Sequence, residues 1–230
     1  MFALFTSTAA RPTATDALPA RPLDLPALAG SAAWARLPRA VQRRFGVAHP
    51  DVTYHGVMEL RCSRIGHVFA ALARLWGGPL AHLNTTDLPA TVRVSGNGRG
   101  GMVWERCFHG DRQGRSGCTV RSTKELGADG GLRERTDGGL SMSLDVLEED
   151  GALVFRSRRY FWVLGRVRIP VPTLLTPGTC SVAHADLGGG RFRFTLSMAH
   201  PWWGETFYQC GVFTDPVADH DDTDTIIFAA

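Results

Sequence analysis

The turn His200-Pro-Trp-Trp-Gly-Glu205 places an imidazole, a carboxylate and two indoles within six residues. A histidine beside a carboxylate can act as a general base, and tryptophan side chains can line an apolar ligand site. The same residues can be structural, with the imidazole bonding a backbone group and Trp202 and Trp203 sealing one end of a fold. The turn therefore predicts either a catalytic pair, His200 and Glu205, with the two tryptophans as ligand contacts, or a packed corner.

A second candidate lies in the alternating segment 102–109, where Trp104 and Arg106 fall on one face. If this face points inward, Arg106 needs either a carboxylate, such as Glu134, or an anionic ligand, because an unpaired buried charge is costly. The glycine-rich segment 95–101 that precedes it is not a phosphate loop, since a strand rather than a helix follows. We expect Trp104 and Arg106 to contact a ligand.

The segment Arg156–Trp162 is basic and then aromatic, but its alternation divides these groups between two faces. This division favours a strand with solvated arginines over a nucleic-acid surface. A second interpretation places Arg156 or Arg158 inward with Tyr160, to hold a carboxylate or phosphate group through a bidentate contact. Tyr208, on the segment after the His200 turn, is a further candidate for binding a ligand or steadying developing charge.

The composition argues against several classes of protein. The 25 basic and 22 acidic residues give a net charge of only +3, and the basic residues are scattered, so nucleic acid is not an expected partner. The five cysteines form no C-x-x-C pair and the histidines no H-E-x-x-H array, so no metal or cofactor is predicted. No apolar run is long enough for a transmembrane segment, and the absence of a secretory-signal pattern makes the cytoplasm the expected location.

The elements that position these residues follow from hydrophobic periodicity. We expect a disordered Ala/Pro-rich leader over 1–33, one β-rich domain over 34–214 and an acidic tail over 215–230. Within the domain, the patterns predict helices over 34–46 and 67–76, on either side of a strand over 52–63. Turn signals then divide the chain into further strand candidates, at roughly 90–96, 101–109, 116–125, 131–136, 139–148, 152–163, 166–171, 179–187, 190–200 and 205–214.

These elements predict a mainly β fold class. The expected architecture is an antiparallel meander of about ten strands closed into a lipocalin-like barrel, because closure removes exposed strand edges. The short helix after the first strand would form a lid over the barrel. A β-sandwich and an α+β fold are the alternatives.

Seven short segments and two later residues, in chain order, carry a likeness to a known family: Leu37–Phe45, Tyr54–Met58, Trp104–Arg106, Leu153–Tyr160, Pro170–Pro172, Pro177–Gly178, and His200–Glu205 with Tyr208 and Gly211. They resemble the bacterial domain of unknown function 4166, DUF4166, over about residues 35–214. Members similar to this chain occur alone or attached to an NAD(P)-binding domain of the saccharopine dehydrogenase type. The resemblance therefore implies an accessory role beside an oxidoreductase partner as one option.

Three functions are compatible with these patterns. The first is binding of a small hydrophobic or lipid-like molecule inside the barrel, since cavities at barrel mouths are common ligand sites. The second is an isomerase, cyclase or hydrolase acting on a hydrophobic substrate, with His200 as base and Glu205 orienting it. The third is an interaction domain that docks on an NAD(P)-dependent oxidoreductase.

Overall fold

The fold is an antiparallel β-barrel with four α-helices in the part of the chain that the structure describes. The computed structural model describes residues 22–46, 51–75, 80–110, 117–165 and 167–216. The strands are β1 (Asp51–Cys62), β2 (Thr85–Gly96), β3 (Met102–Phe108), β4 (Cys118–Leu126), β5 (Leu132–Thr136), β6 (Leu140–Glu149), β7 (Ala152–Leu164), β8 (Val167–Val171), β9 (Thr179–Gly188), β10 (Arg191–His200) and β11 (Gly204–Thr214). The helices are α1 (Leu25–Ala29), α2 (Ser31–Arg36), α3 (Arg39–Gly46) and α4 (Arg64–Leu75), and a 3-10 turn spans Thr173–Leu175.

Ten of the strands form a closed ring. The strand order runs β6-β5-β4-β3-β2-β1-β11-β10-β9-β7, and pairing of β6 with β7 closes it. The strand β8 lies outside the ring, because it pairs with residues 160–164 of β7 whereas β9 pairs with residues 153–156. The predicted antiparallel barrel of about ten strands is therefore confirmed, and its closure leaves only β8 as an unpaired edge among the described strands.

The helices α1 to α3 close one end of the barrel, here called the plugged end. Leu37 has an extended backbone before Pro38, so the helix predicted over 34–46 is divided into α2 and α3. Leu25 in α1 is 2% exposed, and residues 25–29 and 31–33 of the leader expected over 1–33 are helical rather than disordered. Residues 1–21 of that leader and residues 217–230 of the predicted acidic tail lie outside the described residues.

The helix α4 covers part of the opposite end, here called the α4 end, as predicted for a lid after the first strand. Ser63 caps this helix, because its Oγ accepts the Gly66 N–H at 3.1 Å. The Ser63 N–H is itself donated to the Thr206 carbonyl at 3.0 Å, which joins the helix to β11. A Cβ on Gly66 would overlap that same carbonyl oxygen, so the close approach of α4 requires glycine there. None of the described helices has the length and apolar character needed to cross a membrane.

Candidate functional site

An apolar cavity of about 300 Å³ opens at the α4 end. One wall is α4, and the facing walls are the β5–β6 turn, the C-terminal part of β7, and the segment around the 3-10 turn. The lining side chains are almost entirely aliphatic or aromatic, so water in this space gains few hydrogen bonds and an apolar molecule can displace it favourably. The lining residues are Phe69, Leu72, Ala73, Leu80, Gly138, Leu140, Trp162, Val171, Leu175 and Pro177.

Large hydrophobic side chains are exposed around this opening. They belong to α4, the β7–β8 hairpin, the 3-10 turn and the β10–β11 turn, all of which lie at the α4 end. Contiguous apolar exposure on a protein surface commonly marks a ligand or interaction site. We call this set the apolar rim: Val68, Leu72, Leu164, Val167, Ile169, Leu174, Leu175, Trp202 and Trp203.

Deeper in the barrel, two cations share one carboxylate. Lys124 Nζ lies 3.2 Å from Glu134 Oε1, and Arg106 Nη2 lies 3.9 Å from the same oxygen. Ser122 joins the two groups, because its Oγ accepts from Arg106 Nη2 at 3.2 Å and donates to Glu134 Oε1 at 2.6 Å. The predicted partner of Arg106, Glu134, is confirmed. Lys124 Nζ also lies over the Trp104 ring, 4.9 Å from its centroid.

The electrostatics of this cluster follow from burial. Burial opposes ionisation of Glu134, but the charges of Lys124 and Arg106 outweigh it and hold the pKa of this carboxyl below its ordinary value. Burial lowers the pKa of Lys124, with Glu134 acting in the opposite direction. His184 lies nearby, and burial together with the charges of Lys124, Arg44 and Arg106 lowers its pKa well below 6.5. The two cations and their burial thus disfavour a further positive charge beside them, while burial still raises the pKa of the neighbouring Cys180 thiol to about 12.

A smaller interior cavity, of about 60 Å³, borders this cluster. Arg106, Ser122, Glu134 and Gln209 line it together with apolar residues, and Leu80 lines both this cavity and the larger one at the α4 end. The two spaces therefore adjoin at Leu80. A volume of this size holds a small polar group or a few water molecules.

The structure places His200 inside the barrel wall at the α4 end, 3% exposed. The Trp203 ring stacks on it with a centroid separation of 4.1 Å. Its Nδ1 accepts the Trp202 backbone N–H at 3.2 Å, so the neutral imidazole carries its proton on Nε2. That buried Nε2 has no hydrogen-bond partner among the described residues. His200 is thus arranged to donate a hydrogen bond from Nε2.

Glu205 lies on the outer surface and is not brought together with the imidazole of His200. A β-bulge separates them: Met198 pairs with Phe207, whereas Ala199 pairs with Glu205, which leaves Thr206 as the extra residue. Glu205 therefore does not share the inward face of Phe207, and it lies on the opposite side of the sheet from the His200 imidazole. The Glu205 carboxylate instead lies 3.9 Å from Arg61 on the exterior.

A second bulge changes the position of Arg158. Ser143 pairs with Arg159 and Leu144 with Ser157, so Arg158 is the inserted residue in β7. Arg158 is a solvated arginine, as the favoured interpretation expects, and the second interpretation that points it inward is wrong: its side chain is 70% exposed and its Nε lies 2.6 Å from Asp145 Oδ2. Tyr160 does point inward, where its hydroxyl donates to the Gly178 carbonyl at 2.9 Å.

The remaining predicted ligand contacts lie in different places. Trp104 and Arg106 are in the interior, Trp202 and Trp203 belong to the apolar rim, and Tyr208 is outside the barrel with Arg61 stacked 4.1 Å from its ring centroid. Sequence reasoning missed Lys124 and His184 in the interior and the α4 side chains that line the large cavity. Lys124 was detectable, because this sole lysine is in phase with Ser122 on a strand whose partner β3 carries Arg106.

The described residues hold no group of three or more His, Cys, Asp or Glu side chains placed to bind a metal ion.

Comparisons with known proteins give one finding about identity. A search of curated proteins found no match to the sequence. The family model described as Domain of unknown function (DUF4166) matches residues 37–213, which contain α4, the large cavity and the interior cluster. Because this match spans most of the 230 residues and confirms the resemblance expected from the sequence, the chain belongs to the family Domain of unknown function (DUF4166).

Proposed function

We propose that this protein binds a small hydrophobic or lipid-like molecule in its barrel, entering at the α4 end. The observation that carries the proposal is the apolar cavity of about 300 Å³ between α4 and β7. Burying an apolar molecule there removes both its surface and the cavity walls from water, which contributes roughly 25 cal/mol for each Å² of apolar area. The apolar rim supports the same direction of entry, because its exposed side chains belong to elements at this end and two of them, Leu72 and Leu175, line the cavity.

The placement of His200 and Glu205 favours binding over proton-transfer catalysis. An imidazole acting as base needs a free nitrogen lone pair directed at substrate and a group that orients it. The Nδ1 lone pair of His200 is occupied by the Trp202 backbone N–H, and Glu205 is on the opposite face of the sheet. The unpartnered Nε2–H is instead suited to donate to a polar atom of a bound molecule.

Native mass spectrometry of the freshly purified full chain, followed by organic extraction, tests the proposal directly. The expected result is a bound apolar species that is released on denaturation and identified in the extract. A chain that carries no such species and also fails to bind a neutral apolar dye would contradict the proposal. A co-purifying dehydrogenase would instead support the accessory role that the family resemblance implies.

Two variants that replace an alanine of α4 by tryptophan locate the bound molecule. Ala73 lines the large cavity, whereas Ala71 is exposed on the same helix and does not. Ala73→Trp fills the cavity with an indole, so we expect at least a tenfold loss of affinity for the apolar dye N-phenylnaphthylamine. Ala71→Trp adds the same group at the surface and should leave the affinity unchanged. Equal affinities of the two variants would place the bound dye elsewhere.

A further inference from the structure

The barrel interior carries one more positive charge than negative charge in its central cluster. Arg106 and Lys124 supply two cations, and Glu134 supplies the only carboxylate that either of them pairs with among the described residues. Their side chains are 12%, 6% and 5% exposed, so water does little to compensate the excess. An uncompensated buried charge is unfavourable, and a bound anion would neutralise it.

Unpartnered donors point to the same kind of ligand. Among the described residues, Arg106 Nε and Trp104 Nε1 are buried N–H groups without a hydrogen-bond acceptor, although Trp104 does not itself line the interior cavity. Both groups can only donate, so an atom that satisfies them must carry an acceptor lone pair. Because Arg106 also lines the interior cavity of about 60 Å³, an acceptor group bound there has space beside the guanidinium.

We propose that the bound molecule is an aliphatic carboxylic acid whose carboxylate occupies the interior cavity beside Arg106, which lines it, and near Lys124, which pairs with the cavity-lining Glu134. Its hydrocarbon tail lies in the larger apolar cavity, which adjoins the interior one at Leu80. This inference rests on the proposed function and specifies its ligand class. Ser122 and Glu134, which line the same interior cavity, hold the two cations in position.

The charge balance selects a carboxylate over a more highly charged group. One carboxylate brings the cluster of Arg106, Lys124 and Glu134 to neutrality. A phosphate dianion would leave a buried negative charge beside Glu134, and a neutral alcohol would leave the positive excess in place. A charge-assisted hydrogen bond to a buried cation is also stronger than a neutral one.

Matched ligands test the inference on the unmodified protein. Decanoic acid and decanol have the same tail length and differ in the charged head, and both are titrated at neutral pH against bound N-phenylnaphthylamine. We expect the acid to bind about tenfold to a hundredfold more tightly than the alcohol. Equal binding of the two would overturn the inference and leave the proposed function standing. If neither displaces the dye, and the dye itself does not bind, the proposed function fails.

Three variants then assign the preference to the cluster. Lys124→Met leaves Arg106 paired with Glu134, so the preference for the acid should fall at least tenfold. Glu134→Gln removes the carboxylate that competes for the cations and should raise the preference, whereas the exposed Arg158→Met should leave it unchanged. A merely structural role would not move the preference in opposite directions. If Lys124→Met, shown to be folded by circular dichroism, keeps the full preference, the assignment is overturned.

Discussion

The two ends of the barrel are each covered by helices, yet they are built differently. At the plugged end, the eight-residue α3 buries Val41, Arg44 and Phe45, which are 0%, 7% and 3% exposed. At the other end, the twelve-residue α4 leaves Val68 and Leu72 exposed and a cavity of about 300 Å³ beside it. The longer helix therefore encloses its end of the barrel less completely.

The difference arises from the side chains that each helix places inside the barrel. Phe45 enters the barrel and contacts the rings of Trp104, Phe155 and His184, with centroid separations of 6.0, 6.1 and 4.8 Å. At the edge of the plugged end, Arg44 forms a bidentate ion pair with Asp215, in which Nη2 lies 2.6 Å from Oδ2. The helix α4 is held at its start by Ser63 and crosses the opening, where it buries Phe69 and Ala70 but leaves the neighbouring cavity unfilled. Side chains thus fill one end of the barrel, whereas a cavity of about 300 Å³ remains at the other.

The largest expected effect separates the two ends by stability. Phe45→Ala removes a fully packed ring, so we expect a loss of about 3–5 kcal/mol in the free energy of unfolding. Leu72→Ala removes a side chain that is 38% exposed beside a cavity and should cost less than about 1 kcal/mol. Urea denaturation of both variants at neutral pH measures the difference. Equal losses would show that α4 carries as much of the stability as α3.

The next effect is the pH dependence of the free energy of unfolding that His184, packed against Phe45 at the plugged end, produces. Burial lowers the folded-state pKa of His184 well below 6.5, so an unfolded chain binds a proton there before the folded chain does. Stability from His184 is therefore fully present above about pH 6.5 and is lost as the pH falls below it, by roughly 1.4 kcal/mol for each pH unit.

Urea denaturation at pH 7 and pH 5.5 provides the measurement for His184. His184→Phe keeps a ring among Phe45, Trp104 and Phe194, so this variant should fold and should show a smaller dependence on pH than the unmodified chain. Identical pH dependence in the two proteins would mean that His184 is protonated in the folded state as readily as in the unfolded one.

Much of the fold could be predicted because most strands alternate without interruption. The predicted 101–109, 131–136 and 139–148 agree with β3, β5 and β6 to within one residue at each bound. The first five residues of β2 were missed, since Asp87 has a φ of 55° and Pro89 lacks an N–H, and both disturb the strand pattern. Periodicity thus locates strands wherever the backbone keeps a two-residue repeat.

The candidate site was harder to predict for a related reason. A bulge adds one residue and reverses the face of every side chain beyond it, without changing the residue types. The bulge at Thr206 moves Glu205 outside, and the bulge at Arg158 does the same to that residue, while Trp104 and Arg106 on the regular β3 were assigned to the interior. The large cavity depends on how α4 crosses the opening, which no single segment encodes.

The smallest expected effect tests the Thr206 bulge at the α4 end. Thr206 is fully buried, and its hydroxyl donates to the Pro177 carbonyl at 2.5 Å, which fixes the bulge and directs Glu205 to solvent. Glu205→Gln should therefore change the free energy of unfolding by less than about 0.5 kcal/mol, because the weak pair with Arg61 is solvated.

The affinity for decanoic acid provides a second measurement on the Glu205→Gln variant. Glu205→Gln should leave its affinity unchanged, since an exterior carboxylate cannot reach the cavity, whereas Glu134→Gln changes it from inside the barrel. Both substitutions replace a glutamate by glutamine, one inside the barrel and one outside it. A difference between their affinities for decanoic acid therefore arises from the position of the carboxylate and not from the kind of residue. A marked loss of binding in Glu205→Gln would place that carboxylate at the site and restore its predicted partnership with His200.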